Sequence, residues 1–289
     1  MSARTFRIGV VAPSSRVEPA TAEAVAALVG RQYADGRVEV VFHPQCFESW
    51  GHFAGDDRRR AEAFLEVAND PGFDALWFGR GGYGSGRIVE AVMAGLKPAA
   101  ADKQYLGYSD AGAMLGALYG KGFRRLAHGP MANDIRRTGG EAAAARALAW
   151  LVDADAASLE PSVASSPAPT AAFNLMMLSS IVGTPWQPDL TGHILYLEEI
   201  SEYMYRIDRA LFHVMSNEAM RRIAGLRLGR CSDVPVNDPD FAQTEEEIAR
   251  YWCGRAGVPY LGRADIGHDA DNRIVPFGAT AVCVESTPT

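Results

Sequence analysis

Cysteine is scarce in this sequence and unpatterned. Cys46, Cys231, Cys253 and Cys283 form no CxxC pair and lack the close spacing of a zinc site, so a reduced compartment is expected. His43, His52, His128, His193 and His213 share no metal-ligand spacing such as HxxxH, and no metal or other cofactor is expected. Positive charge is in deficit: the formal net charge is −7 and the sequence pI about 5.4. That argues against a nucleic-acid partner, whose binding depends on Lys and Arg neutralising phosphates. The short clusters Arg58-Arg59-Arg60 and Arg136-Arg137 read as solvated helix or loop faces. Long apolar runs are also missing. The first, Ile8 to Pro13, is too brief for a signal-peptide core and far too brief to span a bilayer, so a soluble, cytoplasmic protein without a membrane partner is expected.

What is present is a chain of 289 residues with 48% hydrophobic content, enough to bury one large core or two ordinary ones. Strands are expected at residues 7–12, Val38–Phe42, Ala75–Phe78 and Gln104–Tyr108, with helices over Glu18–Val29, 57–69, Arg87–Ala94 and Ala111–Tyr119. The alternation implies an α/β fold with a parallel sheet covered on both faces. Ligands in such sheets bind beyond the carboxyl ends of the strands. Between Leu159 and Thr170 the chain is poor in core residues and rich in turn formers. A linker is therefore placed at 161–170, between an N-terminal domain (1–160) and a C-terminal one (171–289). The second half is less regular: a helix over Asn174–Val182, a strand at His193–Leu197, a helix near Tyr205–Met215, and strands near Arg222–Leu228 and Ala279–Val284. That mixture suggests a smaller α+β domain. The alanine run at 142–145 reads as a strong helix.

One segment carries the chemistry. In Leu106-Gly107-Tyr108-Ser109-Asp110-Ala111-Gly112 an apolar strand stops at a hydroxyl residue and a helix begins, which would expose Ser109 on a sharp turn. A serine hydroxyl is a weak nucleophile at neutral pH and needs a base, an acid to orient that base, and donors for the oxyanion. The segment lacks the second glycine of Gly-x-Ser-x-Gly, and a plain helix N-cap by Ser109 or Asp110 is the competing reading. The loop Arg80-Gly81-Gly82-Tyr83-Gly84 follows the third strand. It lacks a Gly-Lys-Ser/Thr ending and a well-placed acidic residue after the next strand, so an oxyanion or peptide-positioning loop fits better than a phosphate cradle. Glu198 closes the strand ending at Leu197, although Glu199 or Glu202 serves equally well by sequence alone. His268 lies in the turn-like Asp265-Ile266-Gly267-His268-Asp269.

These residues resemble the serine LD-carboxypeptidases, the muramoyltetrapeptide carboxypeptidase family that also contains the microcin-immunity peptidases. The matching elements are Ile8-Gly9-Val10-Val11-Ala12-Pro13-Ser14, Arg80-Gly81-Gly82-Tyr83-Gly84, Gly107-Tyr108-Ser109-Asp110, His128-Gly129-Pro130-Met131, Asn174-Leu175 and Gly183-Thr184-Pro185. They continue with Leu197-Glu198-Glu199, Tyr205-Arg206-Ile207-Asp208-Arg209, and Gly267-His268 followed by Pro276-Phe277-Gly278. Phe173 stands where the family usually has glycine, and Glu199 replaces its common aspartate.

The resemblance implies a metal-free Ser-His-Glu hydrolase formed at a domain interface. Ser109 would be the nucleophile, His268 the base, Glu198 its orienting partner, and the backbone N–H groups of Gly81, Gly82 and Asp110 the oxyanion donors. It further implies a homodimer acting on the LD bond before the terminal D-alanine of a cytoplasmic murein tetrapeptide. Arg80, Tyr83 and Arg206 are substrate-binding candidates, with an ion pair to Asp208 or Glu202 as the plainer reading of Arg206. The alternatives are the same triad acting on an aminoacyl or peptidyl adenylate, and a non-catalytic small-molecule binder on the same scaffold.

Overall fold

The computed structural model describes residues 4–166 and 168–279. In the first half β1 (Phe6–Val11), α1 (Pro19–Gln32), β2 (Val38–Phe42), α2 (Asp57–Asn69), β3 (Ala75–Phe78), α3 (Ser85–Gly95), β4 (Gln104–Gly107), α4 (Ala111–Gly120) and β5 (Leu126–His128) alternate, followed by α5 (Gly140–Asp153). Every residue of β3 is buried, the mark of a parallel strand covered on both faces, whose apolar run shows no period of two. Local signals bound the helices. Pro19 opens α1, where its missing N–H costs nothing, and Asp56 caps α2 by accepting from Arg59 N at 2.7 Å.

The chain continues through α6 (Pro161–Ala164), β6 (Thr170–Asn174), α7 (Leu175–Ile181), β7 (Ile194–Ile200), α8 (Met204–Ser216), β8 (Gly225–Ser232), α9 (Glu245–Ala256), β9 (Tyr260–Arg263) and β10 (Val275–Pro276). Two sheets result. The first has the order β10-β5-β4-β3-β1-β2, all parallel except β10, which returns from the C-terminal half to pair antiparallel with β5. The second, β6-β7-β8-β9, is wholly parallel. The molecule is thus a two-domain α/β protein. Its second domain is corrected from the expected α+β: helices α7, α8 and α9 connect successive parallel strands, so helix and strand are interleaved rather than segregated. The segment read as linker holds α6 and reaches β6 at Thr170. The strand expected at Ala279–Val284 lies, beyond Ala279, outside the described residues, as does Cys283.

The two sheets share a core. Phe173 on β6 is buried and packs edge-on against Phe277, centroids 5.2 Å apart. A Cβ on Gly116 of α4 would meet Ile181 Cδ1 of α7 at 2.8 Å and Phe173 Cε1 at 3.4 Å. Glycine there lets the helix behind Ser109 lie directly on the second domain, and the aromatic ring at position 173 fills that junction.

Candidate active site

Ser109 sits between β4 and α4 with φ at +58°. That is an uncommon, strained conformation for a residue with a side chain, and one that marks nucleophile turns between strand and helix. Bonds from Ala111 N to Tyr108 O (3.1 Å) and Gly112 N to Ser109 O (2.9 Å) close the turn. A second glycine is not needed, because the small, buried Ala111 fits in its place. The competing capping reading meets a specific obstacle: Asp110 occupies the N-cap position of α4 but makes no side-chain cap bond. Its carboxylate instead accepts from Ser14 Oγ and from Ser85 N (2.8 Å), while its carbonyl accepts from Ser85 Oγ. Asp110 therefore ties the loop after β1 and the start of α3 to the serine turn. Burial raises its pKa above the ordinary carboxylate range, against the bonds from Ser14 and Ser85.

The glycine loop lies against this turn. A Cβ on Gly81 would stand 2.9 Å from Ser109 Oγ, and one on Gly82, whose φ is +110°, would fall 2.2 Å from Ser15 Oγ. A side chain at either place would force its neighbour to shift. The loop is held by bonds from Asn133 N to Gly79 O (2.9 Å) and from Ser15 N to Gly81 O (3.3 Å).

The second domain brings the acid and the imidazole. Glu198 lies in β7 where the pairing with β8 shifts register between Leu197 and Glu199, an irregularity of the kind that re-aims side chains near active sites. Fully buried, its Oε2 accepts from His268 Nδ1 at 2.5 Å. Burial alone would raise the Glu198 pKa, but the charge of His268, its hydrogen bond and the nearby His128 ring hold it well below the carboxylate range. Burial likewise opposes the His268 imidazolium, yet Glu198 outweighs it and the net shift is upward. Of the three carboxylates that the sequence left open, Glu199 points to the other face of the strand, accepting from Asn174 Nδ2 (2.6 Å), Met176 N and Ile200 N (both 2.9 Å). Glu202 pairs with Arg206 at 2.5 Å.

A hydrogen-bond network joins the halves. Asp134 accepts from Tyr108 OH (3.0 Å), Arg137 Nε (2.8 Å) and Met131 N (2.8 Å). Arg137 Nη1 also donates to His268 O at 2.6 Å, and the Tyr108 ring lies 4.7 Å from the His268 ring. A cavity of about 520 Å³ opens over these groups, lined among others by Arg80, Gly81, Gly82, Ser109, Arg136, Arg137 and His268. The structure thus brings Ser109, His268 and the glycine loop to one cavity with Glu198 behind the imidazole. Arg80 is in the lining; Arg206 and Tyr83 are not. Tyr83 is exposed beside His52 and Phe53.

Sequence reasoning missed Asp134 and Arg137. Their signal was the polar run Asn133-Asp134 and Arg136-Arg137 just past the carboxyl end of β5, where ligands of such sheets bind. Among the described residues, no cluster of three or more His, Cys, Asp or Glu side chains suits a metal ion, and no helix is long and apolar enough to cross a membrane.

Fold and cavity define a two-domain α/β protein whose site lies where its two sheets meet. The chain belongs to the LD-carboxypeptidase family, whose N-terminal domain model matches residues 8–129 and C-terminal domain model residues 169–282; it is a carboxypeptidase by family. A murein tetrapeptide carboxypeptidase of Pseudomonas aeruginosa is 26% identical over 96% of this chain and 92% of its own. Solved structures share the fold, and two serve as examples. One is a muramoyltetrapeptide carboxypeptidase from Oxalobacter formigenes (TM-score 0.74, 22% identity, 94% of this chain and 93% of that one). The other is the microcin C7 self-immunity protein MccF with glutamyl sulfamoyl guanosine (TM-score 0.75, 16% identity, 96% and 92%).

Proposed function

We propose that this protein is a serine-type LD-carboxypeptidase that removes the C-terminal D-alanine of a murein tetrapeptide. The observation that carries the reading is the buried Glu198–His268 hydrogen bond, facing the same cavity as a serine held at positive φ. Because Nδ1 of His268 is engaged by Glu198, Nε2 is the nitrogen left to act as base. It takes the Ser109 proton as Oγ attacks the scissile carbonyl. The oxyanion is stabilised by the N–H groups of Gly81, Gly82 and Asp110, aided by the N-terminus of α4. Collapse breaks the C–N bond, His268 passes the proton to the departing D-alanine amine, and water, activated by the same imidazole, releases the acyl group and regenerates Ser109.

Three guanidinium-bearing residues, Arg80, Arg136 and Arg137, line the cavity. That lining suits a peptide carrying several free carboxylates better than a neutral ligand. The same reading takes the enzyme as cytoplasmic and homodimeric.

The test is release of D-alanine from a disaccharide-free murein tetrapeptide in the presence of a chelator. Wild type should release it, and Ser109→Ala should be slower by roughly 10⁴-fold. Cleavage of an aminoacyl-adenylate analogue without D-alanine release would move the substrate to the MccF type. Ligand binding with no turnover by either protein would leave only the binding-protein reading.

A further inference from the structure

His128 is the last residue of β5, in register with Gly107 of β4 and opposite Val275 of β10. It is 1% exposed, and among the described residues neither ring nitrogen has a hydrogen-bond partner. A third buried polar atom in the same state lies beside it: Glu198 Oε1, 4.0 Å from His128 Nε2. Buried polar atoms are rarely left unpaired, and each costs folding free energy when they are. Here one unpaired imidazole nitrogen and one unpaired carboxylate oxygen lie 4.0 Å apart, while the other carboxylate oxygen is held by His268. Tyr108 packs between the two imidazoles, its ring centroid 5.5 Å from His128 and 4.7 Å from His268.

We propose that His128 is a second imidazole of the catalytic relay, a positioning residue whose Nε2–H holds the free oxygen of Glu198 while His268 holds the other. The separation is too long for a hydrogen bond as it stands, and an approach of under an ångström closes it. That bond is worth most when the adjacent imidazole becomes charged during turnover, since it keeps the Glu198 carboxylate ionised and pointed at His268 Nδ1. The proposal rests on the serine-type reading above.

The other charged or titratable groups facing this unit are Tyr108 from the serine turn, Asp134 and Arg137 from the segment after β5, Glu199 from β7 itself and the Cys231 thiol from β8. None of them changes in the variants that follow. His128→Phe keeps a ring and removes the donor; His128→Gln puts an amide N–H near the reach of Nε2; His128→Asn puts one near Nδ1 instead.

The assay is the pH profile of kcat and kcat/KM for D-alanine release, with Ser109→Ala as reference. A hydrogen bond to a charged group is worth a factor of roughly 10 to 100. Phe and Asn should lower kcat by that factor, with KM within about twofold of wild type. They should also move the acid limb of kcat/KM to higher pH, because a less stabilised carboxylate makes the His268–Glu198 pair bind its proton more tightly. Gln should recover most of the rate and the wild-type acid limb. If Phe fails to fold, the contrast between Gln and Asn carries the test. Equal rates and equal acid limbs for Gln and Asn would overturn the proposal, as would a loss in Phe that tracks lowered melting temperature with no change in pH profile. Full activity in Ser109→Ala would instead overturn the serine-type reading.

Discussion

Adding one methyl group to Gly81 should disable the site while leaving the fold nearly intact. The backbone of Gly81, unlike that of Gly82, does not have positive φ, so alanine is conformationally acceptable there. The obstacle is steric: the new Cβ would lie 2.9 Å from Ser109 Oγ, 3.1 Å from Ser109 Cβ and 3.3 Å from Met131 Cε. Restoring an ordinary contact of 3.4 Å requires the loop and the serine to part by about half an ångström, a displacement at the limit of what catalytic geometry tolerates. Because a misplacement near 1 Å costs about 10²-fold, Gly81→Ala should lower kcat roughly 10- to 100-fold, or about 1.4–2.7 kcal/mol of barrier. KM should change little. The stability cost of one extra methyl in a packed site is about 1 kcal/mol, a fall of roughly 2–4 °C in Tm. Gly86→Ala is the matched control. Its Cβ meets nothing within 4 Å, and it lies inside α3, so it should raise stability by about 0.4–1 kcal/mol and leave kcat unchanged. Steady-state D-alanine release and thermal melts on both variants decide the matter. Wild-type kcat in Gly81→Ala, or a loss matched by an equivalent loss in Gly86→Ala, would refute the claim that the loop backbone abuts the reacting hydroxyl.

Glu198→Gln should reduce kcat by roughly 10³- to 10⁴-fold and move the acid limb of kcat/KM to lower pH, since Glu198 is what raises the His268 pKa; an unmoved limb would mean another group sets it. The same pair shapes stability. The raised imidazole contributes fully below 6.5 and loses its contribution as pH rises through its folded value. The lowered carboxylate contributes fully above 4.5 and loses its contribution as pH falls. The pair is therefore most stabilising between about pH 4.5 and 6.5, and the Gln variant should lose that maximum in denaturant titrations. Glu199 acts with the opposite sign to Glu198. Burial, opposed by the bonds from Ile200 and Asn174, carries its pKa up to about 7, so its contribution is full below 4.5 and disappears as pH rises through 7. Urea unfolding at pH 5 and pH 8 should show this slope in wild type and not in Glu199→Gln, and an identical slope in both would sink the assignment.

How much of this was legible beforehand depends on what holds each element in place. Ala75–Phe78 reads correctly to the residue because a fully apolar run ends at glycines, and the resemblance pointed to Ser109, Glu198 and His268, of which Glu198 and His268 share a hydrogen bond and Ser109 and His268 line one cavity. β5 and β10, at three and two residues, are too short for any periodicity to register. They exist because each satisfies the other's backbone across about half the length of the chain, with β4 on the far side of β5. α9 escaped notice although Thr244 and Glu247 form a capping box visible in the sequence; the irregular residues before it hid the boundary.

The choice among Glu198, Glu199 and Glu202 is the more instructive case, because the residues alone left it open. Neighbouring carboxylates on a strand point to opposite faces, so spacing alone gives two answers one residue apart, and a register shift at the critical position removes even the parity argument. What separates them is the partner waiting on each side: an imidazole 70 positions away for Glu198, the Asn174 amide and a backbone N–H at the start of α7 for Glu199, and a guanidinium one helical turn on for Glu202. Two of those partners are set by how the second sheet is assembled and how its last loop returns to the first, so which carboxylate meets the imidazole is a property of the tertiary fold. It follows that changes at the junction between sheets, such as Phe173→Ala, should misplace the Glu198–His268 pair relative to Ser109 without touching any of the three. Removing that ring from a fully buried site should cost about 3–5 kcal/mol of stability, and kcat should fall even at temperatures where the variant remains folded.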